Sequence, residues 1–517
     1  MSTLPLFDFI ATLSTYIINS KYISVSHAKI NSLPTLCDDI IRYFFHELET
    51  IANSGKQKDL AAYTRTGIPQ HLAQKITDNP DFVGNQAAVI IFLDKLVKKC
   101  ISKESLYSYM KEGAKRQEIK ILPSVCNNQI YTHQCFSSLN SAQSVETTHI
   151  RIIPHFYPYG YESSLPNSND KENTDSRRIS HLDFHWITII HESDLHVKEF
   201  GKIEVVNVIT ETQLAKDNKD DLRIVVSPML NDFNLKKTVD LSDPIPADDG
   251  HISYFSMKPA YSSPSKESPK FDTENCVEKV VDKSVSFNAD IIVFPEMLGT
   301  CRMMNHRYVL FPTVKNSQIS LLVLPSICIE KRNISLGLDR HLNVVTPQSK
   351  QLPFIYLPDK PKAGEQVPSF VEDLKSFDRT VYIYHILGIG SIVIAICRDF
   401  LSEDYLNFLT DILHVSFIIC PSWTEKTQDF INHAEQARSR GAYVLFINCC
   451  SARPPSQGVN NHYVGLLATP WEQDPSQNSV CYLQTDCQGS CCTPDKPCYF
   501  EIAIHPTFSI NYSHKHI

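Results

Sequence analysis

The chain has 517 residues, of which 42% are hydrophobic and 21% are charged, and its formal net charge is −8. This composition excludes a fibrous or disordered chain and is typical of a soluble globular protein with roughly two to four domains. Direct nucleic-acid binding is not expected, because proteins that bind phosphate backbones carry an excess of lysine and arginine.

The first residues, MSTLPLFDFIATLSTYIINSKY, have no basic region ahead of their apolar stretch. No uninterrupted apolar run in the chain reaches the roughly 18 residues of a membrane-spanning helix. Several of the 16 cysteines, such as Cys328 and Cys420, lie inside apolar strand-like runs. We therefore expect a cytoplasmic protein with reduced thiols and no membrane association.

Residues 1–200 are predicted to form an N-terminal domain of unknown function, with a helical first half. Apolar residues recur at spacings of three and four in residues 37–52 and 87–101, which indicates one buried face on each helix. Short β-like runs, HIRIIPHFY and FHWITIIHE, follow on either side of a polar segment at residues 167–178. Helix packing is the simplest role for this domain, and binding of a protein partner is the alternative.

Residues 201–517 alternate apolar strand candidates with helical or irregular segments. The strand candidates are IEVVNVI, LRIVVSPM, ADIIVFPEM, ISLLVLPSICI, TVYIYHI, GSIVIAIC, VSFIICPSW and AYVLFINCC. Runs so rich in valine and isoleucine suit strands that are buried on both faces, which predicts an α/β layer fold. The polar stretch at about 240–275 is predicted to be an insertion loop.

Three reactive side chains follow strand candidates. Glu296 follows ADIIVFP, Cys397 ends GSIVIAIC, and Lys350 closes a predicted hairpin that begins near Asn333. A thiolate can attack a carbonyl or nitrile carbon, a carboxylate can move the proton, and an ammonium can stabilise the oxyanion. Taken alone, each residue has a structural explanation, since a strand-end cysteine is usually a small buried hydrophobe. Their order and spacing favour a catalytic set.

These motifs resemble those of the nitrilase, or carbon–nitrogen hydrolase, superfamily. ADIIVFPE resembles the strand that presents the catalytic glutamate, and Lys350 lies 17 positions after Asn333, close to the spacing in the family. ICRDFLSEDY resembles the nucleophile turn, with its Cys-x-Asp pattern. The downstream segments IICPSW and AEQARSRGAYVLFIN extend the resemblance over about residues 203–510.

The resemblance implies a four-layer αββα sandwich after the mainly helical N-terminal domain, homo-oligomers, and no catalytic metal or organic cofactor. Glu296 would then be the general base, Lys350 the oxyanion-stabilising residue and Cys397 the nucleophile that forms a thioester. If the hairpin is longer, Lys360 or Lys362 aligns with the catalytic lysine instead. The residues expected to support the site are Glu365, Arg398, Asp399 and Trp423.

The expected activity is hydrolysis of a non-peptide carbon–nitrogen bond in a small molecule, an amide rather than a nitrile. Two alternatives remain open, an acyltransferase that uses an amine in place of water and a noncatalytic binding or regulatory module. The motifs depart from the common pattern in the helix, which reads ARSRGAY, and in the first strand, which ends in VVSPM. Both departures bear on substrate class and subunit packing.

A cysteine-rich hairpin is predicted at residues 481–498, before the final strand candidate CYFEIAI. Four thiolates could hold a structural zinc ion, but these cysteines form no CxxC pair. Reduced cysteines on a surface hairpin are therefore favoured over zinc, and a redox pair is the third interpretation. The cysteines concerned are Cys481, Cys487, Cys491, Cys492 and Cys498.

Overall fold

A computed structural model of the protein describes part of the chain. The described residues are 132–134, 150–154, 159, 187–208, 216, 220–229, 239–246, 252–257, 273–329, 331–356, 369–374, 379–424, 426–452, 462–470, 480–485, 496–506 and 509–517. The helices predicted at residues 37–52 and 87–101 and the polar loop at 167–178 lie outside them. The predicted domain boundary at residue 200 stays a prediction.

The chain divides into two compact units. The first contains residues 133–156 and 184–195, and the second contains residues 196–517. The division falls within a short strand, β1 (Thr132–Gln134). In the first unit, β2 (Ile150–Pro154) pairs antiparallel with β3 (Ile187–His191), which is followed by a 3₁₀ turn at Glu192–Leu195. These two strands confirm the β-like runs expected in this region.

The second unit contains most of the described strands and helices. Its strands are β4 (His196–Val197), β5 (Gly201–Lys202), β6 (Glu204–Val208), β7 (Leu222–Met229), β8 (Val239–Pro246), β9 (Ile252–Met257), β10 (Ile291–Val293), β11 (Leu321–Val323), β12 (Ile327–Ile329), β13 (Arg332–Leu338), β14 (Val344–Ser349), β15 (Ile355–Tyr356), β16 (Ser369–Glu372), β17 (Thr380–Ile386), β18 (Gly390–Ile394), β19 (Phe417–Ser422), β20 (Tyr443–Asn448), β21 (His462–Ala468), β22 (Val480–Thr485), β23 (Cys498–Ile504) and β24 (Ile510–His516). Its α-helices are α1 (Thr273–Ser286), α2 (Cys301–Asn305), α3 (Arg307–Leu310), α4 (Glu403–Asn407) and α5 (Gln428–Ser439). Shorter turns are the 3₁₀ segments Pro312–Asn316, Cys397–Leu401 and Cys450–Ala452 and the π-helical segment Phe408–Ile412.

Two mixed sheets form the core of this unit. One runs in the order β6-β17-β18-β19-β20-β21-β22, and the other runs β12-β13-β11-β10-β7-β23-β24, with β14 paired to β13. The strands β18, β19 and β20 pair in parallel, as do β7, β10 and β11. Parallel strands are normally buried on both faces, and every residue of β10, β19 and β20 is buried. All eight strand candidates are confirmed, and so is the α/β class.

Contacts between elements relate the two sheets to the helices. The sheets touch through β7 and β20 and through β14 and β17, while α1 contacts β7 and α5 contacts β20. Helix α1 buries Cys276, Val277, Val280 and Val281, a helical spacing of apolar residues that places one face on the sheet. Within the described residues, no helix is long and apolar enough to cross a membrane.

The segment predicted as an insertion loop at about 240–275 contains two strands, so this prediction is wrong in part. Strands β8 and β9 join β15 and β16 in a four-stranded sheet of order β15-β16-β9-β8. The run ISYFSM in β9 contains several residues that favour strands, but it is short and lies between polar segments. The strand β9 gains its partner β16 from more than a hundred residues further along the chain.

Candidate active site

Glu296 lies in the turn that follows β10. In this turn Met297 adopts a left-handed φ of 78°. Its N–H donates to Ser326 Oγ at 2.8 Å, and this hydrogen bond holds the backbone in place. A non-glycine residue in this region is uncommon and needs surrounding structure to hold it. The Glu296 side chain is 2% exposed, and so the turn carries a carboxylate into the interior.

Lys350 follows the hairpin formed by β13 and β14, which confirms the hairpin predicted from the sequence. The Lys350 N–H donates to the Asn333 carbonyl at 2.8 Å and so extends the ladder by one residue. At this end of the hairpin, Lys350 Nζ donates to Glu296 Oε1 at 2.9 Å and Asn333 Nδ2 donates to the same oxygen at 2.8 Å. The distance in sequence from Asn333 to Lys350 therefore reflects the length of the hairpin. Lys360 and Lys362 lie outside the described residues.

A second carboxylate on Lys350 comes from Glu372, at the end of β16. Lys350 Nζ donates to Glu372 Oε2 at 2.9 Å, and the Phe354 N–H donates to the same oxygen at 2.8 Å. Sequence reasoning missed Glu372 and named Glu365, which lies outside the described residues. The signal that could have found it is SFVE, a short β-like run that ends in a glutamate.

Cys397 begins a 3₁₀ turn that is separated from the end of β18 by two residues, and it adopts a left-handed φ of 49°. Two residues further on, the Asp399 carboxylate accepts the N–H of Gln351 at 2.9 Å and that of Leu352 at 2.7 Å. These donors follow Lys350 immediately in the chain. Asp399 thus ties the turn that carries the thiol to the loop that carries the ammonium.

The backbone of Trp423 completes the contacts of Glu296. Its N–H donates to Glu296 Oε2 at 3.0 Å, so both carboxylate oxygens are engaged. The loop after β19 is held by Asn448, at the end of the neighbouring strand β20. Asn448 Oδ1 accepts the Thr424 N–H at 2.9 Å, and Asn448 Nδ2 donates to the Thr424 carbonyl at 2.8 Å.

Burial and charge determine the protonation of the cluster. Burial raises the pKa of Glu296, against the Lys350 ammonium, which lowers it. Burial alone would lower the pKa of Lys350, but the carboxylates of Glu296 and Glu372 raise it well above its usual range. Burial and then the Glu296 carboxylate raise the pKa of the Cys397 thiol, which Lys350 opposes. At neutral pH the free protein therefore holds a protonated thiol beside a charged lysine.

A cavity of about 420 Å³ opens beside Cys397. Its described lining combines apolar side chains, exposed carboxylates and one guanidinium: Glu199, Leu352, Pro353, Phe354, Ile355, Cys397, Arg398, Leu401, Ser402, Glu403, Thr424 and Phe430. A pocket of this size can hold a small molecule beside the thiol. Of the residues expected from the sequence, Glu296, Lys350, Cys397, Asp399 and the Trp423 backbone come together, and Arg398 lies on the cavity wall.

The cysteine-rich hairpin is described only at its two ends. Cys481 lies half-buried in β22 and Cys498 lies buried in β23, in different sheets. Cys487, Cys491 and Cys492 lie outside the described residues. No group of three potential metal ligands occurs in the part of the chain that the structure describes. The favoured reduced cysteines and the two alternatives, a structural zinc ion and a redox pair, all stay open for this hairpin.

No protein-family model matches the chain, and no curated protein matches it. Among solved structures it is similar to an amidase from Nesterenkonia sp., at 12% identity and a TM-score of 0.30, over 59% of this chain and 92% of that chain. A mutant of the Nesterenkonia AN1 amidase, described as from the nitrilase superfamily, matches at 12% identity and a TM-score of 0.28, over 48% and 84%. The C. elegans NitFhit protein matches at 13% identity and a TM-score of 0.30, over 53% and 62%.

Proposed function

We propose that the second unit is a carbon–nitrogen hydrolase of the nitrilase type that cleaves a small-molecule amide through a cysteine thioester. One observation carries the proposal: Glu296 accepts from Lys350 Nζ and Asn333 Nδ2 on one oxygen and from the Trp423 N–H on the other. The same carboxylate interacts with the Cys397 thiol beside the cavity. A base, a fixed cation and a nucleophile thus lie within one buried cluster.

In the first step, the substrate carbonyl carbon is attacked by Cys397 Sγ while the thiol proton passes to Glu296. The raised pKa of the thiol favours this general-base route over a preformed thiolate, and the raised pKa of Glu296 makes it a stronger base than an exposed carboxylate. The oxyanion of the tetrahedral intermediate is stabilised by Lys350 Nζ and the Arg398 backbone N–H. Because two carboxylates keep Lys350 protonated, it serves as a charge and not as a base.

In the second step, Glu296 returns its proton to the departing nitrogen, the C–N bond breaks, and a thioester remains on Cys397. A water molecule then attacks the thioester carbon and gives a proton to Glu296. Collapse of the second intermediate breaks the C–S bond, releases a carboxylic acid, and returns that proton to the sulfur. An amide suits this scheme because its leaving nitrogen needs the acid that Glu296 provides.

We also propose that the two sheets and the helices of this unit form a four-layer αββα sandwich. Its support is the contact of β7 with β20 between the sheets, together with α1 on β7 and α5 on β20. In this arrangement Glu296 and Lys350 come from one sheet, and Cys397 comes from the other. Glu296 and Lys350 therefore come close to Cys397 only when the two sheets pack together.

The test is trapping of the thioester. The full chain, incubated with a panel of aliphatic primary amides and then with hydroxylamine, should release ammonia and form hydroxamates, and mass spectrometry should find the acyl adduct on the Cys397 peptide. Cys397→Ala should lower ammonia release by at least about 10³-fold with unchanged circular dichroism. The control is Cys301→Ala, since Cys301 is exposed on α2. Unchanged turnover in Cys397→Ala would contradict the proposal.

A further inference from the structure

Arg398 lines the same cavity as the thiol, and it follows the proposed nucleophile directly in the chain. Its side chain is half-buried, and its Nη1 donates to the Pro353 carbonyl at 2.8 Å. Within the described residues, no carboxylate lies within ion-pair distance of the guanidinium. The contact with Pro353 uses one of its five N–H donors and fixes its orientation.

The other charges on the cavity wall do not neutralise Arg398. Glu199 and Glu403 also line the cavity, but both are exposed and neither forms an ion pair with the guanidinium. Exposed carboxylates are hydrated and screened by salt, so their repulsion of an incoming anion is weak. The half-buried cation beside the nucleophile is therefore the stronger feature for binding a charged ligand.

The wall between these charges is apolar. Leu352, Phe354, Leu401 and Phe430 contribute aliphatic and aromatic surface to the cavity. Such a surface accommodates methylene groups and offers them no hydrogen-bond partner. A ligand that matches the cavity is therefore neutral and flexible in its middle and charged at one end.

Building on the proposed hydrolase function, we propose that the substrate is an aliphatic primary amide whose acyl chain ends in a carboxylate, and that Arg398 binds this carboxylate. The amide carbon meets Cys397 Sγ, and the methylene groups lie on the apolar wall. The planar guanidinium has parallel N–H donors that match the two oxygens of a carboxylate. Because Pro353 already holds the guanidinium, little conformational entropy is lost on binding.

The test compares amides of matched length that differ in their terminal charge. The full chain is assayed for ammonia release from glutaramate, valeramide and 5-aminopentanamide, which are anionic, neutral and cationic. We expect kcat/KM for glutaramate to exceed that for valeramide by at least tenfold, and the cationic amide to be the poorest substrate. A site built to pair a charged group rejects the analogue that lacks it.

Variants then assign the preference to Arg398. Arg398→Met should lower kcat/KM for glutaramate at least tenfold more than it lowers kcat/KM for valeramide, with the additional loss mainly in KM, while Arg398→Lys should retain part of the preference. Arg302→Met is the charge-matched control, because Arg302 is exposed and pairs with Glu274 on the surface. Equal losses for both amides would overturn the proposal, since Arg398 would then act only by holding Pro353. A preference for the cationic amide would overturn it as well.

Calorimetry with Cys397→Ala separates this proposal from the proposed function. If the unmodified chain hydrolyses no amide, but Cys397→Ala binds glutaramate and the added Arg398→Met abolishes binding, then the hydrolase function fails and the carboxylate site stands. If amides are hydrolysed without any preference for glutaramate, the carboxylate site fails and the hydrolase function stands. Absence of both turnover and binding overturns both.

Discussion

The two halves of the candidate site differ in how their polar groups are engaged. In the half contributed by β10, β14 and β16, Glu296, Lys350 and Glu372 form two ion pairs with side chains that are 2% exposed. In the half that follows β18, Cys397 and Arg398 line the cavity. The charged half is thus fully paired in the free protein, whereas the half that follows β18 faces the cavity in which the proposed substrate would bind. Under the proposed function, Cys397 acts together with the charged half in the chemistry, and the cavity wall beside it selects the substrate.

Burial of the three charged side chains in this half costs folding free energy. Removal of charges from water costs more than a single ion pair regains unless further hydrogen bonds complete the network. Here Asn333, Phe354 and the Trp423 backbone supply those bonds. Loss of one member would leave the others buried without compensation.

Lys350→Met should produce the largest effect, because Glu296 and Glu372 would then face each other without a cation. We expect the free energy of unfolding to fall by about 3–5 kcal/mol. Ammonia release should fall by about 10²–10³-fold, since the oxyanion also loses its charged donor. Urea unfolding measures the first quantity, and the amide assay measures the second.

Two further variants sharpen this result. The double variant Lys350→Met with Glu372→Gln should regain part of the stability, because one buried charge is removed, but it should regain no activity. Lys331→Met is the control, since Lys331 pairs with Asp373 near the surface, and surface pairs contribute about 0–1 kcal/mol. If Lys350→Met and Lys331→Met lose equal stability, then the ion pairs of Lys350 contribute no more than a surface pair, and the charged half is not a buried cluster.

The sequence predicted the elements of both halves where the signal is local. Runs of valine and isoleucine predicted β10, β18, β19 and β20, because β-branched residues in short apolar runs favour buried strands. The segment between Asn333 and Lys350 predicted a hairpin. The apolar run that ends at Cys397 predicted that this cysteine lies at the end of a strand. Each of these signals lies within about twenty consecutive residues.

The remaining contacts depend on pairing across long stretches of chain. Glu372 reaches Lys350 because β16 pairs in parallel with β9, and neither strand had a clear pattern. Trp423 contacts Glu296 through its backbone N–H, which any residue other than proline would supply, so its side chain carries no signal. The link from Asp399 to Gln351 likewise uses backbone donors. Side-chain identity alone could not predict these contacts.

Asp399→Asn tests the link between the halves through its dependence on pH. Burial raises the pKa of Asp399 from 3.8 to about 7, against the Leu352 and Gln351 N–H donors, which lower it. Between these values the unfolded chain loses the proton while the folded chain keeps it, so stability present below about pH 4 is lost as pH rises to about 7. The unmodified chain should therefore lose up to about 4 kcal/mol relative to Asp399→Asn, at roughly 1.4 kcal/mol per pKa unit.

Urea unfolding at pH 4, 5, 6 and 7 measures this difference. The matched control is Asp429→Asn, because Asp429 is exposed in the first turn of α5, and its stability curve should run parallel to that of the unmodified chain. A difference between Asp399→Asn and the unmodified chain that stays constant with pH would contradict the prediction. It would mean that Asp399 is ionised in the folded protein throughout this range.

Asn448→Ala should have the smallest effect, because it loosens only the loop after β19 and removes no charge. Loss of the two hydrogen bonds with Thr424 should lower stability by about 1–2 kcal/mol. Freed from this anchor, the Trp423 N–H stabilises the Glu296 carboxylate less, so kcat should fall about tenfold and the acidic limb of the pH–rate profile should move to higher pH. Gln428→Ala, which removes an exposed hydrogen bond to Asn432, should change none of these quantities. A stability loss with an unmoved acidic limb would show that Asn448 only supports the fold and does not position the Trp423 N–H on Glu296.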